Sequence, residues 1–171
     1  VHCESIRIAG DEMDEAAVSY IRRHYNLLIG GRTAERIKRT IGSAAPLEQE
    51  LEMEVAGRDL MIGLPRRTVV TSTEIREALL EPVMSIIQAI RTTLEGTPPE
   101  LAADLVHQGI TLAGGGALLR GLDVIIEQEV QLPVRVADDP LTCVARGTGE
   151  FLDQLDLYSR VLDSSADEVA A

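Results

Sequence analysis

The stretch ITLAGGGALLRGLD, residues 110–123, sets Gly114, Gly115 and Gly116 in a row between an apolar run and a helix-like pattern. Each glycine costs roughly 0.5–1 kcal/mol of backbone entropy relative to alanine in a regular element. Three together must serve a sharp turn or the close approach of something to bare main chain. A glycine turn that leaves a strand and enters a helix invites a nucleotide, and three physical versions compete. A phosphate-cradling loop needs Lys followed by Ser or Thr at the helix start; Ala117, Leu118 and Leu119 stand there instead, which excludes it. A dinucleotide fingerprint G-x-G-x-x-G is met at Gly114 and Gly116, with Asp138 placed for a ribose hydroxyl, but Leu119 replaces the third glycine. In the third version the backbone of Gly114, Gly115, Gly116 and Ala117 is a flat floor for an adenosine whose phosphates point elsewhere.

Such a floor needs separate polar groups for the sugar. The run ERIK, Glu35, Arg36, Ile37 and Lys38, offers a carboxylate and an ammonium at i and i+3 on one helix face. Taken alone, Glu35 and Lys38 equally form an exposed ion pair worth a few tenths of a kcal/mol, roughly. Taken alone, the glycines equally only turn the chain. Neither signal is specific by itself.

The elements that must position these groups follow from periodicity. Residues 4–9 alternate as a half-buried strand does, and Asp11 with Asp14 opens a helix running to about Tyr25. Thr33 caps a second helix, AERIKRTIG, closed at Gly42. Residues 48–71 alternate with period two, Leu51, Met53 and Val55 against Glu50, Glu52 and Glu54, with a hairpin turn expected at 56–59 and a return strand from Pro65. The acidic row suits a solvated face guarding an edge strand, or a partner contact. TSTE at 71–74 and TPPE at 97–100 read as capping boxes, the second with Pro98 at the first helical position. Between them a helix over about 82–95 carries Val83, Ile86, Ile87, Ile90 and Leu94 on one stripe. Residues 110–137 read as strand, glycine turn, helix (117–130) and strand, a βαβ unit. Asp139-Pro140 caps a last helix to about Leu157, and residues 159–171 read as a tail.

Bulk properties narrow the function. The 171 residues carry a net charge of −12, against the basic patch that phosphate backbones need. With no Trp, one Phe and three Tyr there are few platforms for base stacking, and the core must be aliphatic. Cys3 and Cys143 form no metal or CxxC pattern, and His2, His24 and His107 are scattered, so two reduced thiols and no metal site are expected. No apolar run approaches the ~18–20 residues that span a bilayer. The opening at Val1, directly before a strand-like stretch, reads as a fragment.

Four collinear stretches, GDEMDEAAVSYIRRHYNLLIG, TAERIKRTIGSA, TLAGGGALLRGLD and DPLTCVARGTGEFLD, together resemble the second half of MreB/Mbl-type bacterial actins over roughly residues 4–157. The resemblance implies an α/β, actin-like ATPase fold of the ribonuclease H-like kind: the second lobe with an inserted α+β subdomain, incomplete at its N-terminus. It assigns residues 1–9 and 82–158 to the core subdomain and 10–81 to the insertion. It implies ATP or ADP in a cleft, with Mg2+ in the intact protein, and polymerisation into cell-shape filaments beneath the membrane. Implied partners are further copies of the chain and cell-shape and cell-wall-synthesis membrane proteins, with a cytoplasmic, membrane-associated location. Carried over by position, Gly114, Gly115, Gly116 and Ala117 match the adenosine turn, and Glu35, Arg36, Ile37 and Lys38 the ribose- and adenine-side helix. Ala9 replaces the first glycine of the usual Gly-Gly-Asp before Asp11. The D-x-G-x-G-T hairpins that grip phosphate and magnesium in this fold occur nowhere in residues 1–171, so the chain alone is expected to lack measurable ATPase activity and to bind adenosine weakly at best. The alternative is a small nucleotide-binding or interaction module of the actin, chaperone and sugar-kinase superfamily without filament function.

Overall fold

Three helical stripes and a short antiparallel sheet account for most of the buried aliphatic residues. The computed structural model describes residues 2–155 and 157. Helix α1, Gly10–Tyr25, buries Met13, Ala17, Tyr20 and Ile21, one face of a 3.6-residue period. It begins two residues earlier than a cap at Asp11 would place it, with Ala9 at the cap. The Glu12 carboxylate accepts the Ala9 N–H at 2.8 Å, while Asp14 is drawn away to α2. Asn26, in the left-handed region at φ 48°, ends the helix. Strand β1, Leu27–Leu28, follows at once; two residues carry too little periodicity to announce it. Helix α2, Gly31–Ile41, buries Ala34, Ile37 and Ile41 and is capped by Gly30 rather than Thr33.

Strands β2, Glu52–Asp59, and β3, Pro65–Thr71, form the expected hairpin, with Val55 opposite Thr68 and Glu52 opposite Thr71. The turn lies at 60–64, not at 56–59. Residues 56–59 stay in β2 because β1 pairs there, Leu28 opposite Arg58, and a Cβ on Gly57 would lie 2.5 Å from the Leu28 carbonyl oxygen. Asp59 builds the true turn: its carboxylate accepts the N–H groups of Met61 (2.8 Å) and Ile62 (3.2 Å), which holds its pKa below the ordinary value.

Helix α3, Ser72–Glu95, starts at the expected capping box. The Thr71 N–H donates to Glu74 (2.8 Å) and the Glu74 N–H returns to the Thr71 hydroxyl (3.3 Å). It then runs unbroken through buried Pro82, so the boundary expected at 81/82 falls inside a 24-residue helix. Its inward residues Ile75, Leu79, Val83 and Ile87 join the core cluster, and the helix packs on α1, α2 and α5. Helix α4, Pro99–Gln108, is capped by Pro98, while Thr97 turns its hydroxyl back to the Thr93 carbonyl (2.8 Å) instead of closing a capping box.

Strands β4, Ile110–Leu112, and β5, Val134–Val136, pair in parallel, Thr111 opposite Arg135, across helix α5, Leu122–Val130. That is the expected βαβ unit, except that a 3-10 turn, Gly115–Leu118, precedes a helix that starts at 122 rather than 117. Helix α6, Cys143–Asp153, follows Thr142, whose hydroxyl donates to the Asp139 carboxylate. Residues 4–9 are not in a strand; no described strand pairs with them, and their side chains are exposed except Ile8. The tail expected at 159–171 lies outside the described residues.

Candidate functional site

The glycine turn divides into one position that the chain requires and two that it does not. Gly114, at φ +82°, occupies a backbone region open only to glycine, and its N–H donates to the Pro140 carbonyl at 2.7 Å. Gly115 and Gly116 lie outside that region. A Cβ on Gly116 would meet nothing within 4 Å, and one on Gly115 only Leu141 Cδ2 at 3.5 Å, an ordinary contact. Gly30, Gly31, Gly147 and Gly149 are equally unobstructed, whereas other positions require glycine for close packing. A Cβ on Gly109 would lie 2.3 Å from the Pro133 carbonyl oxygen, and one on Gly121, at φ +71°, 2.7 Å from Ala45 Cβ. Behind the turn, Ala117, Leu119 and Leu122 are buried and fix the backbone to the core. The result is a backed stretch of main chain with open space in front of it. That suits a flat apolar ring, which gains contact area from bare backbone that a side chain would deny it.

The four ERIK residues of α2 have separate duties. Ile37 is fully buried in the core. Glu35 and Arg36 are exposed, and Glu35 pairs with Arg39 at 3.7 Å, not with Lys38. Lys38 points the other way. Its ammonium lies 2.8 Å from the Asp14 carboxylate and donates to the Gly10 carbonyl at 2.8 Å, with both side chains 16% exposed. It ties the start of α1 to the last turns of α2. A carboxylate and an ammonium poised together on one helix face are therefore absent in this arrangement; Glu35 and Arg36 are the ERIK side chains that reach solvent.

Arg120 joins α2 to the glycine turn. Its backbone carbonyl accepts the Ala44 N–H at 2.7 Å, and its guanidinium donates to the carbonyls of Arg39 (3.4 Å) and Gly42 (3.3 Å) at the open end of α2. Glu35 stands seven residues before Gly42, about 10 Å along the helix axis. Sequence reasoning missed Arg120 and took Asp14 and Pro140 only as helix-start signals, because each acts on a backbone group or on a residue far away in sequence.

The scaffold behind the site is held by polar clamps on α3. Hydrogen bonds from Arg76 and Ser72 hold Glu50 down to about 2, well under its ordinary 4.5. The Arg76 guanidinium also reaches the buried Ser43 hydroxyl (3.1 Å) and the Ala45 carbonyl (3.3 Å). The Tyr25 hydroxyl donates to Glu74 (2.6 Å) and that of Tyr20 to Glu77 (2.9 Å); burial first, then these carboxylates, raise both phenols to about 12. Burial pushes Glu74 up, but the Tyr25 and Thr71 hydrogen bonds outweigh it and its pKa is lowered. Among the described residues, no group of three His, Cys, Asp or Glu side chains could hold a metal ion, and no helix is long and apolar enough to cross a membrane.

Comparison with known proteins gives this geometry a lineage. A family model described as MreB/Mbl protein matches residues 1–160. The chain is 52% identical over 158 residues to the cell shape-determining protein MreB of Escherichia coli K12, covering 92% of this chain and 46% of that protein. It thus spans about half the length of the curated relatives it matches. MreB5 of Spiroplasma citri, solved with ADP bound, superposes with a TM-score of 0.88 at 40% identity, over 94% of this chain and 48% of the other. MamK in a double helical filament superposes with a TM-score of 0.66 at 26% identity, over 80% and 42%. With its actin-like α/β architecture, its glycine turn and these matches in agreement, the chain belongs to the MreB/Mbl family of cell shape-determining proteins.

Proposed function

We propose that the chain is the second-lobe portion of an ATP-dependent, actin-like filament protein that determines cell shape, and that it supplies the adenosine side of the nucleotide site. The observation that carries this reading is the pair Gly115 and Gly116: glycines that neither φ nor packing demands, at a backed turn facing open space. Gly114, Gly115, Gly116 and Ala117 form the floor for the purine. Glu35 and Arg36 face solvent on α2 and serve the ribose and base edge, while Ile37 and Lys38 hold that helix in place from behind. When bound, the nucleotide supplies the phosphate-dependent free energy that biases two lobes toward a polymerising geometry. The residues here hold its base and sugar. Triphosphate and Mg2+ need groups beyond this constellation.

Self-association is the partner reading, supported by the filament form of the structural relative MamK. Residues 10–81 act as an inserted subdomain presenting subunit contacts, on a core of 1–9 and 82–158. Contacts with cell-wall-synthesis membrane proteins, and a cytoplasmic place under the membrane, complete the proposal.

Isothermal calorimetry with ATP, ADP and adenosine tests it. A purine floor without a phosphate grip predicts weak binding of similar strength for all three, and no turnover of ATP above that of Gly116→Trp. No binding of any of the three would reduce the glycines to a turn. Binding that strengthens steeply with phosphate number would place the site elsewhere.

A further inference from the structure

Resting on the nucleotide reading above, we propose that Arg120 is the positioning residue of the purine floor, a staple that fixes the glycine turn against the open end of α2. A helix leaves its last carbonyls without intrahelical partners and its C-terminal end partly negative. Arg120 supplies both what those carbonyls lack and a cation: Nη1 donates to the Arg39 carbonyl at 3.4 Å and the Gly42 carbonyl at 3.3 Å. Its main chain is paired as well, in a parallel bridge with Ser43, the Ala44 N–H lying 2.7 Å from the Arg120 carbonyl. The approach is tight enough that Gly121 must lack a side chain, because a Cβ there would strike Ala45.

The short segment after α2 is gripped from its other side by Arg76, through the buried Ser43 hydroxyl and the Ala45 carbonyl. Arg76 in turn is anchored to Glu50 at 2.7 Å. Residues 43–45 are thus a strut clamped between two arginines, one on α3 and one four residues past Gly116. Among the described residues, the hydrogen bonds joining 31–45 to 110–121 all pass through Arg120. Neither Arg39 nor Gly42 carries the floor, and Arg120 touches no purine in this account. It sets the distance between the surface on which the ring lies and the helix that meets the sugar.

The test titrates adenosine into the unlabelled 171-residue chain, and reads distances in a Cys3→Ser, Cys143→Ser background with spin labels on Arg32→Cys and Leu118→Cys, exposed positions on α2 and the turn outside the proposed binding set. Pulsed electron paramagnetic resonance without nucleotide reads the distance between α2 and the turn; adenosine titration reads its use. Arg120→Ala is expected to broaden the distance distribution and weaken adenosine binding about tenfold. Arg120→Lys, which still donates to one carbonyl, is expected to restore most of both. A merely structural role would move the unfolding midpoint without this rescue in the distance distribution. An unchanged distribution in Arg120→Ala overturns the staple, as does unchanged adenosine affinity where the parent binds. Failure of the parent to bind adenosine overturns the nucleotide reading alone, since the ligand-free distances still decide Arg120.

Discussion

Residues 10–95 and residues 99–153 use aliphatic side chains in opposite ways. In the first region α1, α2 and α3 each bury a stripe, and the sheet contributes Leu27, Val55 and Val70, all fully buried. In the second, α4 and α6 bury nothing, while Leu101, Val106, Val144 and Leu152 stand exposed; Leu119 after the glycine turn and Leu122 and Ile126 of α5 join the common core, with Leu112 and Val134 packed against it. The first region holds most of the core, although Leu60, Met61, Ile62 and Leu64 at the hairpin tip and Leu80 and Met84 on α3 stand exposed. The second is a surface attached to it through α5, the 43–45 strut and Arg120. Stability and ligand contact are therefore expected to separate in this chain.

The largest expected effect probes that separation directly. Ile37→Ala empties a fully buried site in the first region and is expected to cost about 2–5 kcal/mol in urea unfolding. Val144→Ala, on the exposed face of α6, is expected to stay within about 0.5 kcal/mol. Equal losses would erase the contrast. Next, Lys38→Met removes the cation that joins α2 to Asp14 and the Gly10 carbonyl. It should cost about 1–3 kcal/mol, because a mostly buried carboxylate loses its partner. A neutral result would mean that α1 and α2 are held by aliphatic packing alone.

A smaller effect is read in acid. Glu50 has its pKa depressed from 4.5 to about 2, so its contribution is present above about pH 4.5 and fades as pH falls toward 2. Unfolding midpoints measured between pH 5 and 2 are expected to fall less steeply in Glu50→Gln than in the parent. Parallel curves would show that the Arg76 clamp does not tie loop 43–50 to α3. Tyr20 and Tyr25, raised to about 12, act at the opposite end: their contribution holds below pH 10 and is lost between pH 10 and 12.

Much of this was legible in the sequence where one local rule dominates. The Thr71 capping box, the existence of the β2–β3 hairpin and the apolar stripes of α1 and α3 follow from spacing alone, but the turn, and with it the register, does not. The apolar tip Leu60–Leu64 misled because turns are expected to be polar, whereas an aspartate-built turn needs only Asp59 at its start. Pro82 hid the continuity of α3, since a proline inside a helix normally ends it and here the buried packing of Val83 and Ile87 carries the helix on. At the site, the glycines could be singled out in advance, but which of them the chain itself requires could not. That depends on the backbone angle at Gly114 and on the space beside Gly115 and Gly116, which no local pattern encodes. Lys38 went astray for the same reason: i, i+3 spacing pairs it with Glu35, while the folded chain brings Asp14 from another helix.

On the proposed function, Gly116 lacks a side chain for the sake of a ligand and not for the fold. Adenosine binding and urea unfolding measured together on Gly116→Trp test it most directly. Binding is expected to be lost while the unfolding free energy changes by no more than about 0.5 kcal/mol, as at other unpacked surface positions. Retained binding, or a loss of stability comparable to that of Ile37→Ala, would contradict it.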